Sequence, residues 1–235
     1  MKPNYGIDAP VVVRNLFLFA LFALLLTAVS CKISNPVWFR ASFLYCSLAF
    51  LSLLGAACWI IYSSLILKPR LIANLVDELK LTGGEKVLDV GCGRGMLLIE
   101  AAKRLDRGKA YGIDLWTEDQ SGNRKENTLV NADKAGVGDR IEIHTADMRN
   151  LPFRDGTFDA VVSNLAIHNI PDAEGRRRAI EEIVRVLKPG GKFALLDLHY
   201  VKDYAAYMER KQVHALSTRP TFWYCPPIRC VKGKK

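Results

Sequence analysis

The 235-residue sequence reads as an α/β protein, a doubly wound, mostly parallel seven-stranded sheet preceded by two transmembrane helices. Three observations carry this reading. Residues 15–31 and 41–67 hold no charged side chain. Past Lys68, short apolar runs bounded by glycines alternate with helical periodicities, the pattern of parallel strands joined by crossover helices. The tail, Thr221–Cys225 and Ile228–Lys232 around Pro226-Pro227, supplies two last antiparallel strands.

At ~1.5 Å per residue the second uncharged run reaches ~40 Å, enough to cross a ~30 Å hydrocarbon core. The first is shorter, but Val11–Val13 extend it past Arg14, whose long side chain can reach the headgroups. Between them Asn35-Pro36 is a helix stop and turn, and Trp38 and Phe39 suit the interface. The expected organisation is an anchor over 1–67, with spans at about 11–31 and 43–67, and a soluble domain over 68–235. Both termini then lie on one side. A cleaved leader ending near Ala28-Val29-Ser30-Cys31 is the competing reading, disfavoured by the long apolar stretch and long lead-in. Lys2, Arg14, Lys68 and Arg70 flank the hairpin, against Lys32 and Arg40 in its loop, which leans toward cytosolic termini.

The net charge of +9 does not mark a nucleic-acid-binding domain. Lys2, Arg14, Lys32 and Arg40 against Asp8 leave +3 in residues 1–67, and Arg229–Lys235 hold four basic groups without an acid. Only +2 remains for the stretch between. Cys31, Cys46 and Cys58 lie in or beside the membrane runs, where a thiol is a small apolar group. Cys92, Cys225 and Cys230 lack metal-ligand spacing, so neither zinc nor a disulfide framework is expected.

In the soluble part, Leu71, Leu75, Val76 and Leu79 recur at helical spacing until Thr82-Gly83-Gly84 closes the helix. Strands are expected at Lys86–Val90, Ala110–Asp114, Ile141–Thr145, Phe158–Ser163 and Phe193–Leu198. Helices are expected at Met96–Arg104 and at Ala173–Leu187, the latter ending at Lys188-Pro189-Gly190-Gly191. Ligands of such sheets bind beyond the carboxyl ends of the strands, where strand order reverses.

The sharpest local signal is Asp89-Val90-Gly91-Cys92-Gly93-Arg94-Gly95 directly after the first strand. Glycines there permit a tight turn and close backbone approach to a ligand. A dinucleotide fingerprint would place Gly or Ala at position 96, where Met96 stands, and would not need Asp89. A carboxylate at that point suits a ligand with positive charge. Asp114 ends the second strand and can accept two ribose hydroxyls, and Asp147 ends the third.

With Gly112-Ile113-Asp114, Ala146-Asp147, Phe158–Asn164 and Arg185–Gly191 added in order, residues 70–200 resemble the class I S-adenosylmethionine-dependent methyltransferases, particularly the ubiquinone/menaquinone-biosynthesis type. The resemblance implies a Rossmann-like domain with S-adenosyl-L-methionine as cofactor. It implies that Gly91, Cys92, Gly93 and Gly95 line the methionine and ribose, with Asp89 near the amino group. Asp114 would hold the ribose hydroxyls with Leu115 beside the adenine, Asp147 would accept from the adenine amino group, and Met148 would pack on the ring. Asn164 would border the transfer site. His168 is a candidate base or acceptor contact, His199 a candidate substrate contact, and His144 reads as structural. Trp116 either stacks near the adenine or packs on the surface, and the polar run Glu118–Asn123 is less typical of the family. Ser163-Asn164-Leu165-Ala166 stands where enzymes of amide or nucleic-acid amines carry Asn-Pro-Pro-Tyr, which argues against those substrates. Tyr207-x-x-x-Lys211 spells a reductase pair, but the dinucleotide glycines are missing.

The expected function is therefore a membrane-anchored methyltransferase, its domain facing the cytosol, acting on a small or lipidic acceptor by in-line displacement. The acceptor pocket is expected from residues 200–224 and the second membrane helix. A methyltransferase for a membrane-protein side chain and a non-catalytic cofactor-binding scaffold are the alternatives.

Overall fold

Pro10, its φ already suited to a first helical turn, opens helix α1 (Pro10–Ser30), and Asn35-Pro36 opens α2 (Pro36–Tyr62). The Asn35 side chain accepts the backbone N–H groups of Val37 and Trp38 at 3.0 and 3.3 Å, so the expected stop and turn is also an N-cap. The computed structural model describes residues 2–117, 123–218, 220–221, 224 and 227–235. They form two compact units, residues 6–68 and residues 2–5 together with 69–235.

In the first unit α1 and α2 pack on each other. The buried side chains of the pair are small or slender, Val13, Ala20, Ala23 and Ser30 on α1 and Ala57 and Ile60 on α2. Phe17, Leu18, Phe22, Leu25, Leu48 and Leu51 point outward, the reverse of a soluble helix pair. Both helices are long and apolar enough to cross a membrane. The helix does not break at Lys68. A π-helical turn (Ser63–Leu67) passes directly into α3 (Lys68–Glu78). At the foot of this unit Lys68 Nζ meets Asp8 Oδ1 at 2.7 Å, and the Asp8 N–H donates to Ser64 Oγ at 3.1 Å.

The second unit holds strands β1 (Lys86–Val90), β2 (Lys109–Asp114), β3 (Ile141–Thr145), β4 (Phe158–Asn164), β5 (Leu187–Asp197), β6 (His214–Ser217) and β7 (Arg229–Lys234). Their order is β3-β2-β1-β4-β5-β7-β6, parallel except for β7, which runs antiparallel to both neighbours. Helices α4 (Met96–Ala102), α5 (Lys125–Ala135), α6 (Ala173–Val186) and α7 (Val201–Arg210) complete it. Leu88, Val90, Phe158, Val161, Phe193 and Leu195 fill the core on the central strands. The chain fills one half of the sheet with β1 to β3 and returns beside β1 as β4, so the switch point lies between the carboxyl ends of β1 and β4.

One strand departs from expectation. The penultimate strand is His214–Ser217, and within 221–225 only a single bridge, Thr221 to Ile228, is described. Phe222, Trp223, Cys225 and Pro226 lie outside the described residues. The alternation that sets β6 is buried Ala215 between exposed neighbours, a weaker signal than the aromatic run downstream. Most of 200–213, expected as variable acceptor-pocket chain, is instead helix α7, with Tyr204 and Met208 packed into the core.

Candidate active site

Beyond the ends of β1 to β4 opens a cleft of about 200 Å³. Of the residues expected to bind cofactor, Gly91, Gly93, Asp114, Leu115, Asp147 and Met148 line it. Gly91 and Gly93 have φ of +75° and +48°, where an L side chain is strained. A Cβ at Gly91 would also stand 2.3 Å from the Ala166 Cβ. The Asp114 carboxylate is tied into the loop, since Oδ2 accepts the Gly93 N–H at 2.8 Å and Oδ1 the Trp116 N–H at 2.7 Å.

Four expected residues and the candidate base are not among the residues lining this cleft. Cys92 turns its thiol onto Gly112, so only its backbone belongs to the loop, and burial pushes the thiol pKa up. Gly95 opens α4 and lies against Thr128, leaving no room for a side chain. Asp89 is 1% exposed and both carboxylate oxygens are buried without a hydrogen-bond partner. Burial raises its pKa to about 8. Among the described residues the buried Asn164 Oδ1 also lacks a partner, as does Oδ1 of Asn123, which itself lines the cleft. Orphaned acceptors around a glycine cradle fit a ligand that brings donors and positive charge. S-adenosyl-L-methionine, with its ammonium, sulfonium and ribose hydroxyls, has that chemistry.

Asp147 lines the cleft with its carboxylate on Arg149, whose Nη2 lies 2.6 Å from Oδ2. That guanidinium is the main cause holding the Asp147 carboxyl below its usual range. Trp116 is pinned by its indole N–H to Thr145 Oγ1 at 2.8 Å and does not line the cleft. Glu118–Gly122 lie outside the described residues.

His168 sits on a short 3-10 turn (Ile167–Asn169) between cleft-lining Ala166 and Asn169. Its Nδ1 contacts Asp197 Oδ1, and its backbone N–H donates to Asp197 Oδ2 at 2.9 Å. Asp197 ends β5, is 1% exposed, and also receives the Leu198 N–H at 2.8 Å. The exposed His199 ring lies 6.3 Å from that of His168. His144 is bonded to Glu142 and packed edge-on against Phe153, a structural place. Tyr207 and Lys211 both meet Glu181 at the α6–α7 contact, away from the cleft.

Sequence reasoning did not single out Leu165, Arg149 or Asp197. Leu165 lines the cleft at φ +55°, a strained non-glycine conformation that no residue pattern announces. Several motif residues prove to be scaffolding. Arg185 bonds Leu151 O, Phe153 O and Asp155, holding the loop before β4. Asp159 takes the Lys188 ammonium at 2.5 Å and the Lys86 N–H at 2.9 Å.

A glycine cradle at the switch point, a strand-end aspartate tied to it and a seven-stranded sheet with β7 reversed are the arrangement of the class I S-adenosylmethionine-dependent methyltransferase fold. Residues 88–195 match the family described as methyltransferase domain. The chain is 35% identical over 133 residues to the sterol 4-C-methyltransferase strm-1 of Caenorhabditis elegans, covering 56% of this chain and 36% of that one. It is 37% identical over 117 residues to a 2-phytyl-1,4-naphtoquinone methyltransferase of Nostoc punctiforme, covering 49% and 47%. The chain thus spans less than half the length of these relatives. Among solved structures, an S-adenosylmethionine-dependent methyltransferase from Aquifex aeolicus superposes with a TM-score of 0.53 at 21% identity, over 69% of this chain and 88% of that one. The [4+2]-cyclase SpnF superposes at 0.59 with 18% identity, over 71% and 81%. These two likenesses concern the fold.

Proposed function

We propose that the chain is a membrane-anchored methyltransferase that moves a methyl group from S-adenosyl-L-methionine to a small or lipidic acceptor whose reacting atom carries a proton. The observation that carries the reading is the His168–Asp197 pair beside the cleft. His168 Nδ1 contacts the buried Asp197 carboxylate outside hydrogen-bond geometry, and the backbone N–H of His168 is what Asp197 holds, so the ring is placed with Nε2 free to face the acceptor's proton. The bound cofactor supplies an electrophilic methyl, so the protein's task is otherwise positioning. Gly91 and Gly93 give it room, Asp114 takes the ribose hydroxyls, Asp89 the ammonium, and Leu115 and Met148 flank the adenine. Asp147 offers its carboxylate to the adenine amino group, sharing it with Arg149.

Two long apolar helices directly before the domain support a site held close to a bilayer. Relatives named for sterol and naphthoquinone substrates support a poorly water-soluble acceptor. The cofactor is made in the cytosol, so the domain is proposed to face it.

The full chain in detergent, given methyl-labelled cofactor with either a lipid extract or delipidated membrane protein, tests the reading. Label in the organic phase is expected. Label on protein would favour the side-chain alternative. Cofactor binding without transfer to either would favour a non-methylating use of the fold, of which the cyclase neighbour is a reminder.

A further inference from the structure

Residues 2–5 precede the first long helix in sequence yet belong to the soluble unit. The connection is built on one side chain. Asn131 of α5, 3% exposed, accepts the Asn4 N–H on Oδ1 at 2.9 Å. Its Nδ2 donates to the Asn4 carbonyl at 3.0 Å and to the Arg94 carbonyl at 3.0 Å. A carboxamide thus pairs with both polar groups of one residue, as a neighbouring strand would, and with its remaining N–H grips the glycine loop. One turn earlier the buried Thr128 hydroxyl donates to the Gly93 carbonyl at 2.6 Å. Tyr5 continues the contact toward α4, where burial and then the Glu100 charge raise its hydroxyl pKa.

Only a primary carboxamide meets all three partners at position 131. Aspartate would set a carboxylate against two carbonyls, and leucine would leave buried polar groups unpaired. The same helix face therefore holds the Gly91–Gly95 loop from one side and residues 2–5 from the other.

We infer that residues 2–5 are a strap that belongs to the cofactor site, with Asn131 the positioning residue through which the strap fixes the glycine loop. The inference rests on the reading of Gly91–Gly95 as the cofactor loop. Since coupling between two binding events is reciprocal, cofactor occupancy must tighten the strap by the factor the strap adds to cofactor affinity.

The test uses the full chain in detergent. Calorimetry with S-adenosylhomocysteine is run on wild type, Asn4→Pro, a deletion of residues 2–5, and Asn131→Asp. Asn4→Pro removes one donor at an exposed site and leaves α5 intact. Each variant is expected to bind about tenfold more weakly, the loss of one or two hydrogen bonds. In wild type, S-adenosylhomocysteine is expected to slow hydrogen exchange at the Asn4 amide by a similar factor, a response that a merely structural contact would not give. Wild-type binding with unchanged affinity in the deletion, or an Asn4 amide indifferent to the ligand, overturns the strap alone. A wild type that binds no S-adenosylhomocysteine overturns the cofactor reading and the strap together.

Discussion

Asp114 and Gly93 lie on different strand–loop junctions, yet the Asp114 carboxylate accepts the Gly93 N–H at 2.8 Å. The group proposed for the ribose hydroxyls therefore also fixes the turn that makes room for the cofactor. Asp114→Ala removes both roles. It should weaken S-adenosylmethionine binding by roughly 1.5–3 kcal/mol, the range for hydrogen bonds to a charged group. Asp114→Asn, which still offers an acceptor to Gly93, should lose less. Equal affinity of Asp114→Ala and wild type by calorimetry would remove Asp114 from the site.

Gly91 meets Ala166 across the switch point. Gly91→Ala places a side chain at φ +75° and drives its Cβ into that of Ala166. The backbone cost alone is about 1–2 kcal/mol, or roughly 2–8 °C in Tm. Adding Ala166→Gly relieves the clash and not the φ, so the double variant should recover part of the loss. A double variant no better than the single would mean that the contact does not matter.

Asp89 gives the unliganded domain a pH signature. Its carboxyl titrates near 3.8 in the unfolded chain and at about 8 in the fold, because burial opposes the charge. Between these values the folded chain holds a proton that the unfolded chain has lost, so stability falls as pH rises through that window. Asp89→Asn should flatten the difference in Tm between pH 5 and 8. The ammonium of bound cofactor favours the ionised form, so affinity should rise over the same range in wild type and not in Asp89→Asn. Parallel curves for the two proteins would count against a buried, protonated Asp89.

His168→Ala should cut turnover by about 10²–10⁴-fold if it removes the base. Asp197→Asn keeps the shape and removes the charge in contact with His168, so kcat should fall in the same direction. Cofactor affinity should hold in both variants. A loss confined to KM would make the pair an acceptor contact instead of a base.

The proposed orientation of the hairpin rests on its even number of helices and on where the cofactor is made. A cysteine at Ser34, in the turn between α1 and α2, should react with an impermeant thiol reagent from outside intact cells. One at Lys2 or Lys234 should not. Labelling at Lys234 would reverse the topology.

Strand alternation, the glycine loop and the strand-end aspartates were legible because each is a local rule: apolar runs of fixed length, positive φ after β1, a carboxylate at a strand end. What stayed hidden is set by contacts far apart in the chain. Asp197 meets His168 across 29 residues, and Asn131 meets Asn4 across 127. Gly95 and Cys92 sit in the right motif but face the core, because a loop that curls around a ligand must turn alternate side chains away from it. The weak alternation of β6 lost to the aromatic segment that follows it, since pattern strength reports burial and not strand pairing.

The docking of residues 2–5 beside Arg94 and Asn131 also fixes an order of events during synthesis. Residues 2–5 are made before both long helices, and their partner on α5 only after them. Residues 2–5 therefore wait, undocked, until α5 has been made. Under the membrane-anchored reading proposed above, they find Asn131 only if they stay on the face where the rest of the domain folds, and correct insertion would then be read out as cofactor affinity.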